Sequence, residues 1–225
     1  MNSLADPHEP LKAAVIDVCC RLEKIGYIVG TWGNVSVRVP EGFIVTPSRI
    51  GYDVLQPRDF VLVSREGRVL AGHRLPSSET GMHRALLNRK ADIGAVIHTH
   101  SPCATAVACL HRSIPAFVED LVQIAGGQIN CTRYVPAGQH EMLAAEVAAT
   151  IGEANAVLLA NHGVVCCGRD LEEAFVTARI VEKAARLLLL AAGLGPVIPI
   201  PDEAVCSERD RFLHKYGTPA DEVKL

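Results

Sequence analysis

Three pairs of short apolar runs, each pair joined through a tight polar turn, limit what this chain can fold into. Val35-Ser36-Val37-Arg38-Val39 and Gly42-Phe43-Ile44-Val45 flank the turn at Pro40-Glu41-Gly42. Phe60-Val61-Leu62-Val63 and Val69-Leu70 flank Arg65-Glu66-Gly67, and Ala156-Val157-Leu158-Leu159 and Val164-Val165-Cys166 flank Asn161-His162-Gly163. Connections this short join antiparallel neighbours, because a parallel pair needs a crossover of a dozen residues or more. Alternation before the first turn predicts a strand over 32–39. Between the hairpins the period changes to a helical one. Leu11, Ala14, Val15, Val18, Leu22 and Ile25 form an apolar stripe over 10–25 that Gly26 closes. Further helices are predicted from an N-cap at Ser77 or Ser78 to about Asn88, over 102–110, over 140–151, and from an Asp170 cap to about Ala192. A strand over Ile129–Tyr134 and a last short helix over 203–214 complete the pattern. Hairpins mixed with helices predict an α/β fold of three α/β/α layers around a mainly antiparallel sheet, not a doubly wound parallel one. The chain reads as one domain over 1–225, with 195–225 as a proline-rich C-terminal tail.

Of 225 residues, 49% are hydrophobic, enough for a sizeable core. A net charge of −3 with no Lys/Arg block gives no field for nucleic acid, and 4% aromatics leave no base-stacking surface. The first residues carry acids and a proline instead of the apolar stretch of a signal peptide. The longest apolar run, Leu187 to Ala192, is far short of the roughly 20 residues that span a bilayer, so no membrane association is expected. Eight cysteines without a C-x-x-C form neither a disulfide framework nor a cysteine zinc site. They suit small buried positions in a reducing, cytoplasmic setting.

The chemistry centres on Ala95-Val-Ile-His-Thr-His-Ser-Pro-Cys103. Ala95, Val96 and Ile97 read as an interior strand, and residues two apart on a strand share a side. His98 and His100 therefore project together while Thr99 faces away. The pair suits two imidazoles on one zinc ion at about 2.0–2.1 Å, and equally two hydrogen-bonded histidines. His162, in a sharp strand–strand connection, is a candidate third ligand or a ring capping a turn. Glu79 is a candidate ligand or an acid complementing a helix N-terminus. Gly33-Asn34 after Thr31, and Ser77-Ser78 at a helix start, offer N–H groups and hydroxyls to an anion such as phosphate, as well as ordinary turn chemistry. Thr46 and Ser48 extend that set. His73, His83, His111, His140 and His214 have no patterned partner and read as surface or core histidines.

In order and spacing, Gly33-Asn34-Val35-Ser36, Thr46-Pro47-Ser48, Leu75-Pro76-Ser77-Ser78-Glu79, Val96-Ile97-His98-Thr99-His100 and Asn161-His162-Gly163 resemble the class II aldolase/adducin family. Arg112-Ser113-Ile114-Pro115-Ala116 and Ala125-Gly126-Gly127 extend the likeness, which runs from about Lys12 to Gly217. Within the family the chain is most similar to the branch that cleaves L-fuculose 1-phosphate. The resemblance implies Zn2+, with Mn2+ or Co2+ as substitutes suited to the same donors, on Glu79, His98, His100 and His162. It implies a phosphate site at Thr31, Gly33, Asn34, Thr46, Ser48, Ser77 and Ser78. It also implies a lyase that reversibly cleaves a ketose 1-phosphate, L-fuculose 1-phosphate-like or a 5-deoxypentulose 1-phosphate, to dihydroxyacetone phosphate and an aldehyde. Glu79 is then both ligand and base, and the assembly a homotetramer with sites between subunits. Three positions depart from or only loosely follow that branch. Arg49 replaces a glycine of the phosphate loop. Glu119, beside Asp120, aligns with the tyrosine that protonates the aldehyde oxygen. Lys215-Tyr216-Gly217 resembles the tail whose tyrosine reaches the site. The alternatives on the same scaffold are a sugar-phosphate 4-epimerase, whose branch carries Asp at the place of Glu79, a phosphorylated sugar-acid decarboxylase, a thioribulose-phosphate dehydratase and a non-catalytic adducin-like interaction domain.

Overall fold

The computed structural model describes residues 6–215. Helix α1 (Glu9–Lys24) leads to strands β1 (Asn34–Val39), β2 (Gly42–Val45), β3 (Val61–Val63) and β4 (Val69–Ala71). Helix α2 (Thr80–Arg89), strand β5 (Ala95–Thr99), and helices α3 (Pro102–Cys109), α4 (Glu119–Ala125) and α5 (His140–Thr150) follow. Strands β6 (Ala156–Leu159) and β7 (Gly163–Gly168) precede α6 (Leu171–Ala191) and α7 (Asp202–His214). The strands make one sheet in the order β4-β3-β2-β1-β5-β7-β6, antiparallel at every step.

Alternation along the strands divides the core between two layers of helix. Val35, Val37, Ala95 and Ile97 face α1 and the start of α6. On the same side Leu158, Val164 and Cys166 pack beneath α3, α4 and the middle of α6. The opposite side, with Phe43, Val45, Val61, Val96, Val165 and Cys167, meets Met82 and Leu86 of α2 and Val147 of α5. β5 is thus buried on both faces and paired on both edges, which places whatever stands at its end deep in the molecule.

Three local expectations are corrected. Residues 129–134 form no strand. Ile129 bridges Ile114 and Cys131 bridges Leu158, so the segment's hydrogen bonds go to two different partners and no ladder can grow. The α2 helix starts after Glu79, which takes the cap position one residue beyond Ser78 and two beyond Ser77. Ser77 and Thr80 shape its entry instead, the Ser77 hydroxyl accepting from Glu79 N at 3.3 Å and the Thr80 hydroxyl donating to Ser77 O at 2.6 Å. The first strand begins at Asn34 and not at Trp32, since Trp32 bonds back to Val29 in a tight turn. Asp170 does cap α6, its carboxylate accepting from Glu173 N at 2.8 Å. The described part of the tail is docked. Ile200 N donates to Ala116 O at 2.7 Å, and α7 lies along α4, where the Arg209 guanidinium donates to Ile124 O at 2.9 Å.

One buried charge ties two helices together. Glu182 of α6 is 7% exposed and accepts from the backbone N–H groups of Cys103 and Ala104, both at 2.8 Å, at the open N-terminus of α3. Those are charge-assisted bonds to donors that have no acceptor within their own helix. Glu182→Ala strands both donors and is expected to cost about 2–4 kcal/mol. The check is a lower urea midpoint at unchanged m-value, with Glu182→Gln falling between the two.

Candidate active site

Four side chains from three places in the chain converge at the end of β5. The sheet register sets His98 opposite Asn34 of β1 and Val165 of β7. His98 is fully buried, and its Nδ1 lies 3.0 Å from Val164 O. A carbonyl only accepts, so Nδ1 carries the proton and Nε2 presents its lone pair to the site. His100 and His162 bring their rings to 4.9 Å from that of His98 and from each other. The His98 and His100 Nε2 atoms are 3.0 Å apart. Glu79 places Oε2 at 3.3 Å from His98 Nε2 and Oε1 at 3.4 Å from His162 Nε2.

Donors on a tetrahedral zinc at about 2.0–2.1 Å from the ion stand about 3.3 Å from one another. The separations here match that spacing, and the donor set is three imidazoles and a carboxylate. Only a shared cation satisfies converging lone pairs and a carboxylate at once, so the residues fit a divalent metal. The electrostatics keep them ready for one. Burial, reinforced by the neighbouring imidazoles, pushes His100 down to about 3 and His162 down to about 4, so both rings are neutral at physiological pH. Burial alone would raise the Glu79 carboxyl, but His98, the Asn34 amide and His162 outweigh it and hold it at about 2. Glycine is required beside these rings. A Cβ on Gly163 would lie 2.5 Å from Thr99 O and 3.0 Å from the His100 ring, and one on Gly33, at φ +139°, would lie 2.7 Å from Ile28 and 3.0 Å from His98 O.

Glu79, His100 and His162 stand at the floor of a cleft of about 660 Å³, with His98 buried behind them. Thr31, Gly33, Asn34, Ser48, Ser77 and Ser78 line it. Two loops make that wall. Ser48 N donates to Leu75 O at 3.0 Å and Ser77 N to Thr46 O at 3.1 Å, which zips 46–48 to 75–77. Thr46 sits apart from the cleft. It is 1% exposed, and its hydroxyl accepts from Val35 N at 3.1 Å, joining the ends of β1 and β2. Arg49 does line the cleft, in a left-handed conformation at φ +60°. Glu119 is exposed on the first turn of α4 and does not line the cleft within this chain. Tyr216 lies outside the described residues.

Two sets of residues here escaped the sequence. The loop 134–139 and His140 form the far wall, with Tyr134 more than half exposed. His83, read above as a surface or core histidine, is fully buried beneath Glu79 and bonded through both ring nitrogens, to Asn34 and to Ser36. Its spacing of four from Glu79 is the signal that could have found it.

Comparison with known proteins adds a common ancestry to this geometry. The chain is 36% identical over 219 residues to the 5-methylthioribulose-1-phosphate/5-deoxyribulose-1-phosphate aldolase of Rhodospirillum rubrum, covering 96% of this chain and 95% of that one. It is 35% identical over 213 residues to the L-fuculose phosphate aldolase of Escherichia coli K12, covering 94% and 98%. A solved L-fuculose 1-phosphate aldolase superposes with a TM-score of 0.86 at 32% identity, covering 95% of this chain and all of that one. Residues 13–189 match the Class II Aldolase and Adducin N-terminal domain, and the chain belongs to that family.

Proposed function

We propose that this protein is a zinc-dependent class II aldolase that reversibly cleaves a ketose 1-phosphate to dihydroxyacetone phosphate and an aldehyde. The observation that carries the reading is the convergence of His98, His100, His162 and Glu79 beside a wall of hydroxyls and backbone amides. The names of the relatives make L-fuculose 1-phosphate and 5-deoxypentulose 1-phosphates the first substrates to try. A divalent cation on those four residues would polarise the ketose carbonyl and stabilise the negative charge of the enediolate. Thr31, Gly33, Asn34, Ser48, Ser77 and Ser78 hold the phosphate, with Thr46 shaping the loop behind them, and so fix the reacting carbons by remote binding energy. Glu79 moves the proton. Once substrate displaces it from the histidines, Glu79 regains basicity and takes up a proton, which it delivers to carbon 3 of the enediolate as the bond between carbons 3 and 4 breaks, while the carbon-4 hydroxyl proton passes to the acid–base group on the aldehyde side. In condensation the carboxylate takes the same proton away. Glu79 also stands where the 4-epimerase branch carries Asp, which favours cleavage over epimerisation.

Glu119 and Tyr216 act, in this reading, from a neighbouring subunit of a homotetramer on the aldehyde half. Exposed Val29 and Leu75, at 72% and 80%, are apolar area such an assembly would cover. The chain works as one domain in the cytoplasm. Eight free cysteines suit a reducing compartment, and no helix among the described residues is long and apolar enough to cross a membrane.

Removing metal with a chelator is expected to lower dihydroxyacetone phosphate release from the preferred ketose 1-phosphate at least 100-fold, with recovery on adding Zn2+ and not Mg2+. Zinc-loaded protein that releases none from L-fuculose 1-phosphate or from any 5-deoxypentulose 1-phosphate overturns the reading. Arg49 has no hydrogen-bond or ion-pair partner among the described residues, yet it holds a conformation in which glycine would be about 1 kcal/mol cheaper. A guanidinium aimed at an anionic substrate accounts for that. Arg49→Gly is expected to stabilise the fold by about 1 kcal/mol. It should also raise KM for the ketose phosphate about 10-fold, leaving kcat within about 3-fold, as steady-state kinetics and thermal unfolding would record.

A further inference from the structure

We propose that Ser36, His83 and Asn34 form a one-way hydrogen-bond relay that sets the position of the Glu79 carboxylate, and that His83 is its positioning residue. The proposal rests on the reading of Glu79 as ligand and base.

Each bond fixes the next. The Asn34 amide touches Glu79 Oε2 through Nδ2 at 2.8 Å, and an ionised carboxylate accepts only, so the NH2 end must face it. The amide oxygen is thereby turned to His83, whose Nε2 lies 2.5 Å away. An oxygen acceptor there requires the proton on Nε2, which leaves Nδ1 as a lone pair. Ser36 Oγ, 2.7 Å from Nδ1, supplies the matching donor. All the donors point toward the acid: Ser36 to His83, His83 to Asn34, Asn34 to Glu79. Ser36 and His83 are wholly buried and Asn34 is 6% exposed, so water does not compete for these bonds.

The fold supplies each member without an added loop. Asn34 and Ser36 are two apart on β1 and share the side that faces α2. Glu79 and His83 are four apart at the start of α2 and share the side that faces β1. The relay therefore spans the sheet–helix interface beside His98, which β1 pairs at Asn34. Its effect is to select one oxygen. Oε2 takes the Asn34 bond and lies nearest His98, while Oε1 is left toward His162. Without the His83 proton donor only the carboxylate holds the Asn34 amide this way round, and the amide oxygen loses the buried partner that fixes its position. Asn34, counted above with the phosphate loop, thus has both ends of its side chain committed, Nδ2 to Glu79 and Oδ1 to His83.

The test compares His83→Leu with His83→Gln, whose amide can place an N–H where Nε2 stands. For His83→Leu a kcat 10- to 100-fold lower is expected, with KM within about 3-fold and Zn2+ affinity 10- to 100-fold weaker by competition with a chelating dye. His83→Gln is expected to recover most of both losses. Nitrogen-15 NMR of the wild-type protein is expected to find His83 neutral with the proton on Nε2. A proton on Nδ1, or a folded His83→Leu with unchanged kcat and unchanged Zn2+ affinity, overturns the relay. Should His83→Leu fail to fold by circular dichroism, Ser36→Ala takes its place. It frees the tautomer and is expected to lower kcat and Zn2+ affinity by a smaller factor in the same direction, and no change in either would overturn the relay. If the wild-type protein cleaves no ketose phosphate, the aldolase reading fails alone, since the tautomer and the Zn2+ affinity still decide the relay.

Discussion

The bond from His98 Nδ1 to Val164 O is the contact on which the site depends. His98 is a polar ring on an interior strand of a seven-stranded sheet, with neighbours on both edges and helices on both faces. In such a place the ring has to satisfy both nitrogens or lose stability. One is satisfied by the adjacent strand, which fixes the tautomer, and the other is aimed by default at the point where His100, His162 and Glu79 meet. The sheet register therefore sets the chemistry of the ring. A one-residue slip of β5 would turn His98 to the opposite helix layer and bring Thr99 to the site. The fully buried flanks of β5, Val96 and Ile97 facing opposite cores, are what forbid that slip.

A second constraint is that the hydroxyl-lined wall of the cleft and its floor of histidines and acid are one object. The loops 46–48 and 75–77 are held by two backbone bonds, and the second of them leads within two residues to Glu79. A phosphate seated on Ser77 and Ser78 is thus coupled to the acid through a short, bonded turn and not through a flexible linker. Thr46 contributes from behind by closing the hairpin end at Val35 N, one residue from Asn34. That arrangement suits a reaction in which binding energy at the phosphate holds the carbons a few bonds away.

Much of this was legible in the sequence, because hairpin spacing and the strand period report directly on how backbone groups are paired. The antiparallel sheet, its helix layers and the shared side of His98 and His100 follow from patterns of two and of three to four, whereas His162 and Glu79 join that pair only through the family resemblance. Where the sequence misled, tertiary pairing overrode a local period. Ile129 to Tyr134 alternates like a strand, but Thr132 N reaches Leu158 O while Ile129 pairs with Ile114, so no single neighbour continues the ladder. The helix α4 has seven residues and no side-chain cap, too little for a periodic signal, and it is held by α6 and α7. His83 was missed for a different reason. Its partners lie 47 and 49 positions earlier in the chain, so its role exists only once β1 is laid against α2.

The start of α2 shows why these functions crowd into one short segment. Glu79 occupies the position where a side chain usually caps the helix, and it makes no such cap. Its carboxylate reaches away to Asn34 and the histidines instead, while the Ser77 hydroxyl takes the Glu79 N–H. The partial positive end of the helix still favours a negative charge nearby, whether on Glu79 or on a phosphate at Ser78. One turn later, His83 returns to the same side and anchors the acid through Asn34. An acid that changes partners, as the proposed reaction asks of Glu79, needs a support that stays in place while it moves. Burial of Ser36 and His83 between sheet and helix provides that support, because neither can relax toward water when the acid changes partner.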